Sequence, residues 1–418
     1  MFFVYQLILS LILITSPIII FFRILKNKED LKRFIEKFSF NSKKRKGGNL
    51  IWFHGASVGE ILSIIPLIKY YEKNNSINQI LITSSTLSSS KVLKKFNFKK
   101  TIHQFYPIDH FFFISKFLKY WKPNIAIFID SEIWPCMFKY IDEKNIPLVL
   151  LNARLTKKTF NRWIKIKKLS QSVFHKITIA FPQNLETISY LKRLKLKQNK
   201  IKYLGNLKFA ENDQDNLDEL GYKLKKGLER KKIWVASSTH KNEEIFCAKA
   251  HIELKKKLKN LMTIIIPRHI HRVKYIISQI ERLNLKVSLH SSSNKNLKNT
   301  DIYIVDSFGE TKKFHKISSS VFIGGSITNR GGQNPLEAVR LGAKILHGPH
   351  TNNFKDVYKF LKLRKISKKI NSPKQLASSI VFVKNNKTGV KIKNIGRKIL
   401  KKTVKELDKL IFDENKKT

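Results

Sequence analysis

From residue 49 onward, short runs of consecutive apolar residues alternate with amphipathic stretches. NLIWF, QILIT, NIAIFID, IPLVLL and KITIA read as buried parallel strands, because a strand covered on both faces needs a continuous apolar run rather than alternation. Between them, residues 59–71 and 110–121 read as helices packed by one face. The polar stretch ENDQDNLDELGYKLKKGLERKK, residues 211–232, interrupts the series. A second series then follows in IWVAS, LMTIIIP, DIYIVD, SSVFIGG and AKILHG. The pattern predicts an α/β chain of two Rossmann-like doubly wound domains, 25–210 and 233–390, facing a cleft and joined by a linker at 211–232. SLHSSSNKNLKN reads as an exposed loop, and residues 391–418 as a basic helix that either solvates freely or packs across the domain junction.

The N-terminus breaks this pattern. Residues 1–22, MFFVYQLILSLILITSPIIIFF, carry no charged side chain and have about the length a bilayer-spanning helix needs, so residues 1–24 are expected to be a membrane anchor. Arg23, Lys26, Lys28, Lys32 and Arg33 follow the apolar run and no basic side chain precedes it, so the rest of the chain is expected to be cytoplasmic. A cleaved signal peptide would want the basic residue first and a small-residue cleavage site afterwards. Pro17 leaves two arrangements open, a span and a helix lying in one leaflet.

Charge changes the picture less than its size suggests. Lys+Arg 82 against Asp+Glu 30 gives a net charge of +52, a field favouring anionic partners such as nucleic acid, acidic headgroups or phosphorylated substrates. Abundant Lys, Asn, Ile and Phe with scarce Gly and Met is also what AT-rich coding produces. Cys136 and Cys247 are the only cysteines, too few for a disulfide framework or a cysteine-based zinc site, and a reducing compartment fits.

Ligands of open α/β sheets bind beyond the carboxyl ends of the strands, and polar clusters fall there: HGASVGE, DSEIWP and GNLKF in the first half, ASSTH, PRHIHR, DSFGE and GGSITNRGGQNPLE in the second. Glycines 324, 325, 331 and 332 would let backbone amides approach a ligand, and Asn334-Pro335 resembles an N-cap with proline at the first helical position, an anion site suited to a nucleotide phosphate. Glu337, one turn in, is placed to accept from ribose hydroxyls. Neither a Gly-Lys-Ser/Thr phosphate loop nor G-x-G-x-x-G is present. Arg268 and His269 in PRHIHR suit an anion clamp better than a metal, since the His-x-His pair has no accompanying carboxylate or cysteine and is flanked by arginines. Asp130 and Glu132 form an acidic pair at a strand end with too few ligands for a metal. Glu60 reads equally as a first-turn acid favoured by the helix dipole and as a general base, and Lys208 carries no signal by itself.

Taken together, SVGE, SEIWP, NARL, GNLKF, STH, PRH, GGQNPLE and GPHTNNF resemble, in order, the motifs of the Kdo (3-deoxy-D-manno-octulosonic acid) transferases of lipopolysaccharide synthesis, from the anchor to about residue 356. That family consists of inverting glycosyltransferases of the two-domain GT-B type, which move Kdo from CMP-Kdo to the lipid A precursor (lipid IVA) at the cytoplasmic face of the inner membrane. The resemblance implies Glu60 as proton acceptor, with Asp130 and Lys208 stabilising the transition state. It also implies CMP contacts from Arg268 and His269, from Gly309, Glu310 and Thr311, and from Asn334, Pro335, Leu336 and Glu337. No metal and no other cofactor is implied. The partners are CMP-Kdo, the lipid A precursor and the membrane, with no nucleic acid. Asp130 stands where the family usually has glutamate, Gln333 where histidine is common, Ala210 where aspartate is common and Thr311 where leucine is usual.

Two alternatives accompany this reading. One is another GT-B nucleotide-sugar transferase acting on a membrane lipid. The other is a non-enzymatic anionic-membrane or nucleic-acid binder, for which basic clusters interleaved with exposed aromatics are expected, whereas the lysines here are spread through both halves.

Overall fold

The computed structural model describes residues 2–26, 29–210, 219–292 and 297–412. Two compact units emerge, one from the described residues of Met1–Asn212 with Ile395–Thr418, the other from those of Asp213–Asn394.

The first unit is built on six parallel strands: β1 (Leu50–His54), β2 (Gln79–Ser84), β3 (Thr101–Phe105), β4 (Ile125–Ile129), β5 (Leu148–Ala153) and β6 (Ile179–Pro182). Their spatial order is β3-β2-β1-β4-β5-β6. Every residue of β1, β2, β4 and β5 is buried, which is why these strands read as unbroken apolar runs. Trp52, Phe117, Trp121, Phe128 and Phe138 fill the space between sheet and helices, each fully buried. Burial of a side chain of this size contributes about 1.5–3 kcal/mol. Strand β3 was missed in the sequence because TIHQF is an edge strand whose first three residues are only half-buried.

The second unit holds seven parallel strands: β7 (Lys232–Thr239), β8 (Leu261–Pro267), β9 (Val287–Leu289), β10 (Ile302–Ile304), β11 (Ser320–Ile323), β12 (Lys344–His347) and β13 (Ser367–Lys369). Their order is β13-β12-β11-β7-β8-β10-β9. β9 and β13 were also unforeseen. Both are three-residue edge strands, and β9 occupies the start of the stretch read as a loop; residues 293–296 of that stretch lie outside the described residues.

Other boundaries moved too. The predicted linker contains a helix, Tyr222–Leu228, and its last residue opens β7; residues 211–218 lie outside the described residues. The C-terminal helix runs Asn386–Phe412, starting five residues before the predicted 391, and residues 413–418 lie outside the described residues. From Ile395 it belongs to the first unit, where Asp408 accepts from the Tyr71 hydroxyl at 2.9 Å and Glu406 pairs with Lys202 at 2.6 Å. Gly396 makes that packing possible, since a Cβ there would sit 2.0 Å from the Phe209 carbonyl oxygen.

The N-terminal helix, Phe2–Leu25, is long and apolar enough to cross a membrane, with mean hydropathy 2.4. One stripe along its length nevertheless faces the first unit. The Tyr5 hydroxyl donates to Asp109 Oδ2 at 2.6 Å, the Phe111 amide donates to Gln6 Oε1 at 3.3 Å, and Ser10 Oγ lies 3.2 Å from His110 Nε2. Ser16 and Ile20 are buried further along, and Arg23 pairs with Glu29 at 2.6 Å. Phe3, Leu7, Leu11, Ile14, Ile18 and Phe22 point outward and are more than half exposed.

Candidate functional sites in the two units

In an open parallel sheet the strand order reverses beside the first strand, and the loops on either side of the reversal part to leave a crevice. In the first unit this lies between β1 and β4, and both acidic motifs lie there. After β1 the chain enters the helix Val58–Glu72 with Ser57 as N-cap and Glu60 as the third helical residue. The two form a capping box: the Glu60 amide donates to Ser57 Oγ at 3.4 Å, and the Glu60 carboxylate receives the Ala56 amide at 2.7 Å and the Ser57 hydroxyl at 2.8 Å.

Of the two meanings left open for Glu60, the structure shows the helix-stabilising one directly. It caps the helix, and its pKa is pushed up to about 7 by burial and by the nearby carboxylates of Glu132 and Asp130, against the lowering effect of the Ser57 and Ala56 hydrogen bonds. A carboxylate with this acidity exchanges protons at neutral pH.

Across the reversal, Asp130 follows β4 in the left-handed region, φ 56°. That conformation costs most side chains about 1–2 kcal/mol, and Asp and Asn tolerate it best. The turn aims Asp130 at Lys208, whose Nζ lies 3.2 Å from Oδ2, while Asn152 Nδ2 donates to Oδ1 at 2.8 Å. Asn152 also accepts the Leu207 amide at 2.9 Å, so one asparagine of the NARL segment ties the DSE turn to the LKF turn. Glu132 receives the Trp134 indole N–H at 3.0 Å and lies 3.3 Å from Nε2 of His54, a fully buried imidazole whose pKa burial lowers. The structure thus brings together Glu60, Asp130 and Lys208, and adds His54, Glu132 and Asn152, to which the sequence assigned no role in the site.

In the second unit the reversal lies between β7 and β11, and the loops after β11, β7, β8 and β10 share one edge. Arg268 and His269 follow β8, both exposed. The His269 ring stands 5.6 Å from that of His240, which follows β7. Burial first, then the charges of Arg268 and Arg330 and the neighbouring histidines, lower the pKa of both rings. This is a cluster of cationic character. Arg330 and His240 are its members that sequence reasoning left unassigned.

Gly309 (φ 91°), Glu310 and Thr311 lie on the same edge after β10, where Glu310 pairs with Lys313 at 3.0 Å and precedes the helix Thr311–Ile317. The glycine-rich stretch departs from expectation. Its helix is Leu336–Arg340, only five residues, with Pro335 itself at the N-cap and the Asn334 side chain accepting the Leu336 amide at 3.1 Å. The asparagine still accepts the amide two residues on, the bond an N-cap side chain makes, while the regular helix begins only after the proline. Nor do the amides of Gly325 to Thr328 face outward as expected: they donate to the buried carboxylate of Glu243. Gly324 is required by close approach, since a Cβ there would lie 2.3 Å from the Ser238 carbonyl oxygen. Among the described residues, no group of three or more His, Cys, Asp or Glu is arranged to hold a metal ion.

Comparison with known proteins assigns the chain to a family. The family model described as 3-Deoxy-D-manno-octulosonic-acid transferase (kdotransferase) matches residues 32–211. A 3-deoxy-D-manno-octulosonic acid transferase of Rickettsia bellii is 33% identical over 398 residues, covering 95% of this chain and 94% of its own. The chain belongs to the Kdo transferase family. A probable mitochondrial Kdo transferase of Arabidopsis thaliana is 33% identical over 368 residues, covering 85% of this chain and 82% of its own. In fold, the chain is similar to a glycosyltransferase of Rickettsia africae, with a TM-score of 0.56 at 13% identity over 88% of this chain and 100% of that one. As a Kdo transferase family member it is a glycosyltransferase acting on a nucleotide-sugar donor, and its two units, each a parallel sheet flanked by helices, agree with the GT-B class.

The raised pKa of Glu60 has a consequence for stability. Between about pH 4.5 and about 7 the folded protein keeps a proton on Glu60 that the unfolded chain has released, so this group's contribution to stability falls as pH rises through that window. Glu60→Gln removes the titration. Melting temperatures measured across the window are expected to fall more steeply with pH for the parent than for the variant.

Proposed function

We propose that the protein transfers Kdo from CMP-Kdo to the lipid A precursor, lipid IVA, with inversion, and that Glu60 is the general base. The observation that carries this reading is a half-buried carboxylate at the first unit's strand reversal with its pKa near 7. Oε1 accepts the Ser57 hydroxyl and keeps a second lone pair for an incoming proton. An acceptor hydroxyl gives its proton to Glu60 as its oxygen bonds to the anomeric carbon of Kdo. The bond from that carbon to the CMP phosphate breaks in the same displacement, and CMP leaves with the electron pair. Lys208, already oriented by Asp130, supplies positive charge as negative charge develops.

CMP is held on the second unit. Arg268 and His269, with Arg330 beside them, take the phosphate. Gly309, Glu310 and Thr311 line one side, and Asn334, Pro335, Leu336 and Glu337 the other, with Glu337 directed to the ribose. Side chains rather than the amides of residues 325–328 carry the anion, because those amides are already engaged. Transfer requires no metal and no further cofactor.

The N-terminal helix attaches the enzyme to the cytoplasmic face of the inner membrane. At 24 residues it is about 36 Å long, enough to cross a hydrocarbon core of about 30 Å. Yet it is tied to the first unit at Tyr5, Ser10 and, through Arg23, near its other end, and a helix so bound cannot cross a bilayer without drawing that unit in. Lying in one leaflet, with the Phe3–Leu7–Leu11–Ile14–Ile18–Phe22 side turned to lipid, satisfies both its apolar face and its polar contacts.

Purified enzyme incubated with CMP-Kdo or UDP-sugars and lipid IVA, with products resolved by mass, is expected to consume CMP-Kdo alone. Glu60→Gln is expected to lower transfer by about 10²–10⁴-fold while CMP affinity stays unchanged; turnover retained by that variant removes Glu60 from the mechanism. For the anchor, Phe3→Cys, Ile14→Cys and Phe22→Cys variants are read by fluorophore quenching with depth-marked lipids. The native Cys136 and Cys247 are buried. All three positions should report one shallow depth, and labelling of position 3 from the far side of the membrane would establish a span instead.

A further inference from the structure

We propose that Glu243 and Glu244, adjacent acids at the start of the helix Glu243–Lys255, are positioning residues of the donor site: each sets one of the two loops flanking β7 before any nucleotide arrives. The proposal rests on reading this edge of the second unit as the CMP site.

Glu243 is wholly buried. Its Oε2 receives the amides of Gly325 at 2.7 Å and His240 at 2.9 Å, and its Oε1 receives those of Ser326 at 3.0 Å, Ile327 at 2.9 Å and, more weakly, Thr328 at 3.4 Å. Successive amides converging on one acceptor make an anion-binding nest, and here a side chain of the protein occupies it. The loop that leads to Asn334 therefore takes its shape from Glu243.

Glu244 turns to the other loop. Its two oxygens take the fork of Arg272 at 3.0 and 3.1 Å, an ion pair whose acid is only 3% exposed. The Arg272 amide donates to the His269 carbonyl at 3.2 Å, so fixing Arg272 fixes the segment that carries Arg268 and His269.

Acids in a first helical turn are favoured by the helix dipole wherever they occur, but that interaction calls for neither burial nor contact with a loop. Here the helix has no side-chain cap, and Asn242 before it adopts φ 75°. The strand order β11-β7-β8 explains the division of labour. Consecutive side chains after the central strand diverge to the loops after its two neighbours.

The test uses the full-length enzyme. Amide hydrogen exchange is measured on the unliganded protein, CMP affinity by calorimetry, and KM for CMP-Kdo and kcat by steady-state assay. In Glu243→Gln the amides of residues 325–328 should lose protection, and the Kd for CMP and KM for the donor should rise about ten- to a hundredfold while kcat per folded enzyme changes by less than about threefold. The Glu244 arm is read separately, so a Glu243 variant that fails to fold does not end the test. Glu244→Gln and Arg272→Met should each weaken CMP binding, and the double variant should be no worse than the poorer single one, because the acid acts through the arginine.

Released loop amides with unchanged CMP affinity would overturn the Glu243 arm, as would losses of kcat and affinity that track only the folded fraction. Additive effects in the cycle would overturn the Glu244 arm. Parent enzyme that binds no CMP overturns the donor reading and this inference with it, a result visible before any variant is made.

Discussion

The strand-order reversal beside β1 and β7 is the constraint on which the chemistry depends. A parallel sheet buried on both faces exposes only the ends of its strands, so functional side chains are delivered by the loops there. The reversal is where two such loops part. In the first unit this brings Glu60 from one side within electrostatic reach of Asp130 and Glu132 from the other. The three carboxylates have different partners. Asp130 has Lys208 and Asn152, and Glu132 has the Trp134 indole and the buried His54. Glu60 has hydroxyl and amide donors, and burial first, then the charges of Glu132 and Asp130, pushes its pKa up.

The second unit uses the same architecture with the opposite charge. Arg268, Arg330, His240 and His269 gather at its reversal, and burial first, then the neighbouring positive charges, lowers the pKa of both histidines. Glu243 accepts the His240 amide and Glu244 pairs with Arg272, so both are bonded to the segments that carry this cluster. The net charge of +52 does not reveal this division, because one site is acidic, the other basic, and most lysines belong to neither. In the proposed reaction a proton is removed where negative charge is concentrated, and a phosphate is held where positive charge is concentrated.

The sequence showed the central strands plainly, because β1, β2, β4 and β5 are buried along their full length and read as continuous apolar runs. It did not show β3, β9 and β13, whose edge positions remove the need for such a run. Ser57-x-x-Glu60 is legible as a capping box, but the acids that raise the pKa of Glu60 lie about seventy residues away and meet it only through the sheet. The same holds for Glu243, whose donors come from residues 325–328. The glycines were read as letting backbone amides approach a ligand, whereas Gly324 approaches Ser238 of the protein itself. The left-handed turn at Asp130 gives a physical account of an aspartate where the family usually has glutamate, since that backbone is among the few that aspartate tolerates better than most side chains.

The most direct test of the account is the pH dependence of single-turnover Kdo transfer by the parent enzyme and by Glu132→Gln. If Glu60 is the base and its neighbouring carboxylates set its acidity, the parent rate rises with pH through an apparent pKa near 7 and then levels, and removing the Glu132 charge moves that pKa downward. A parent rate that is flat across this range, or an inflection that stays in place in the variant, contradicts it.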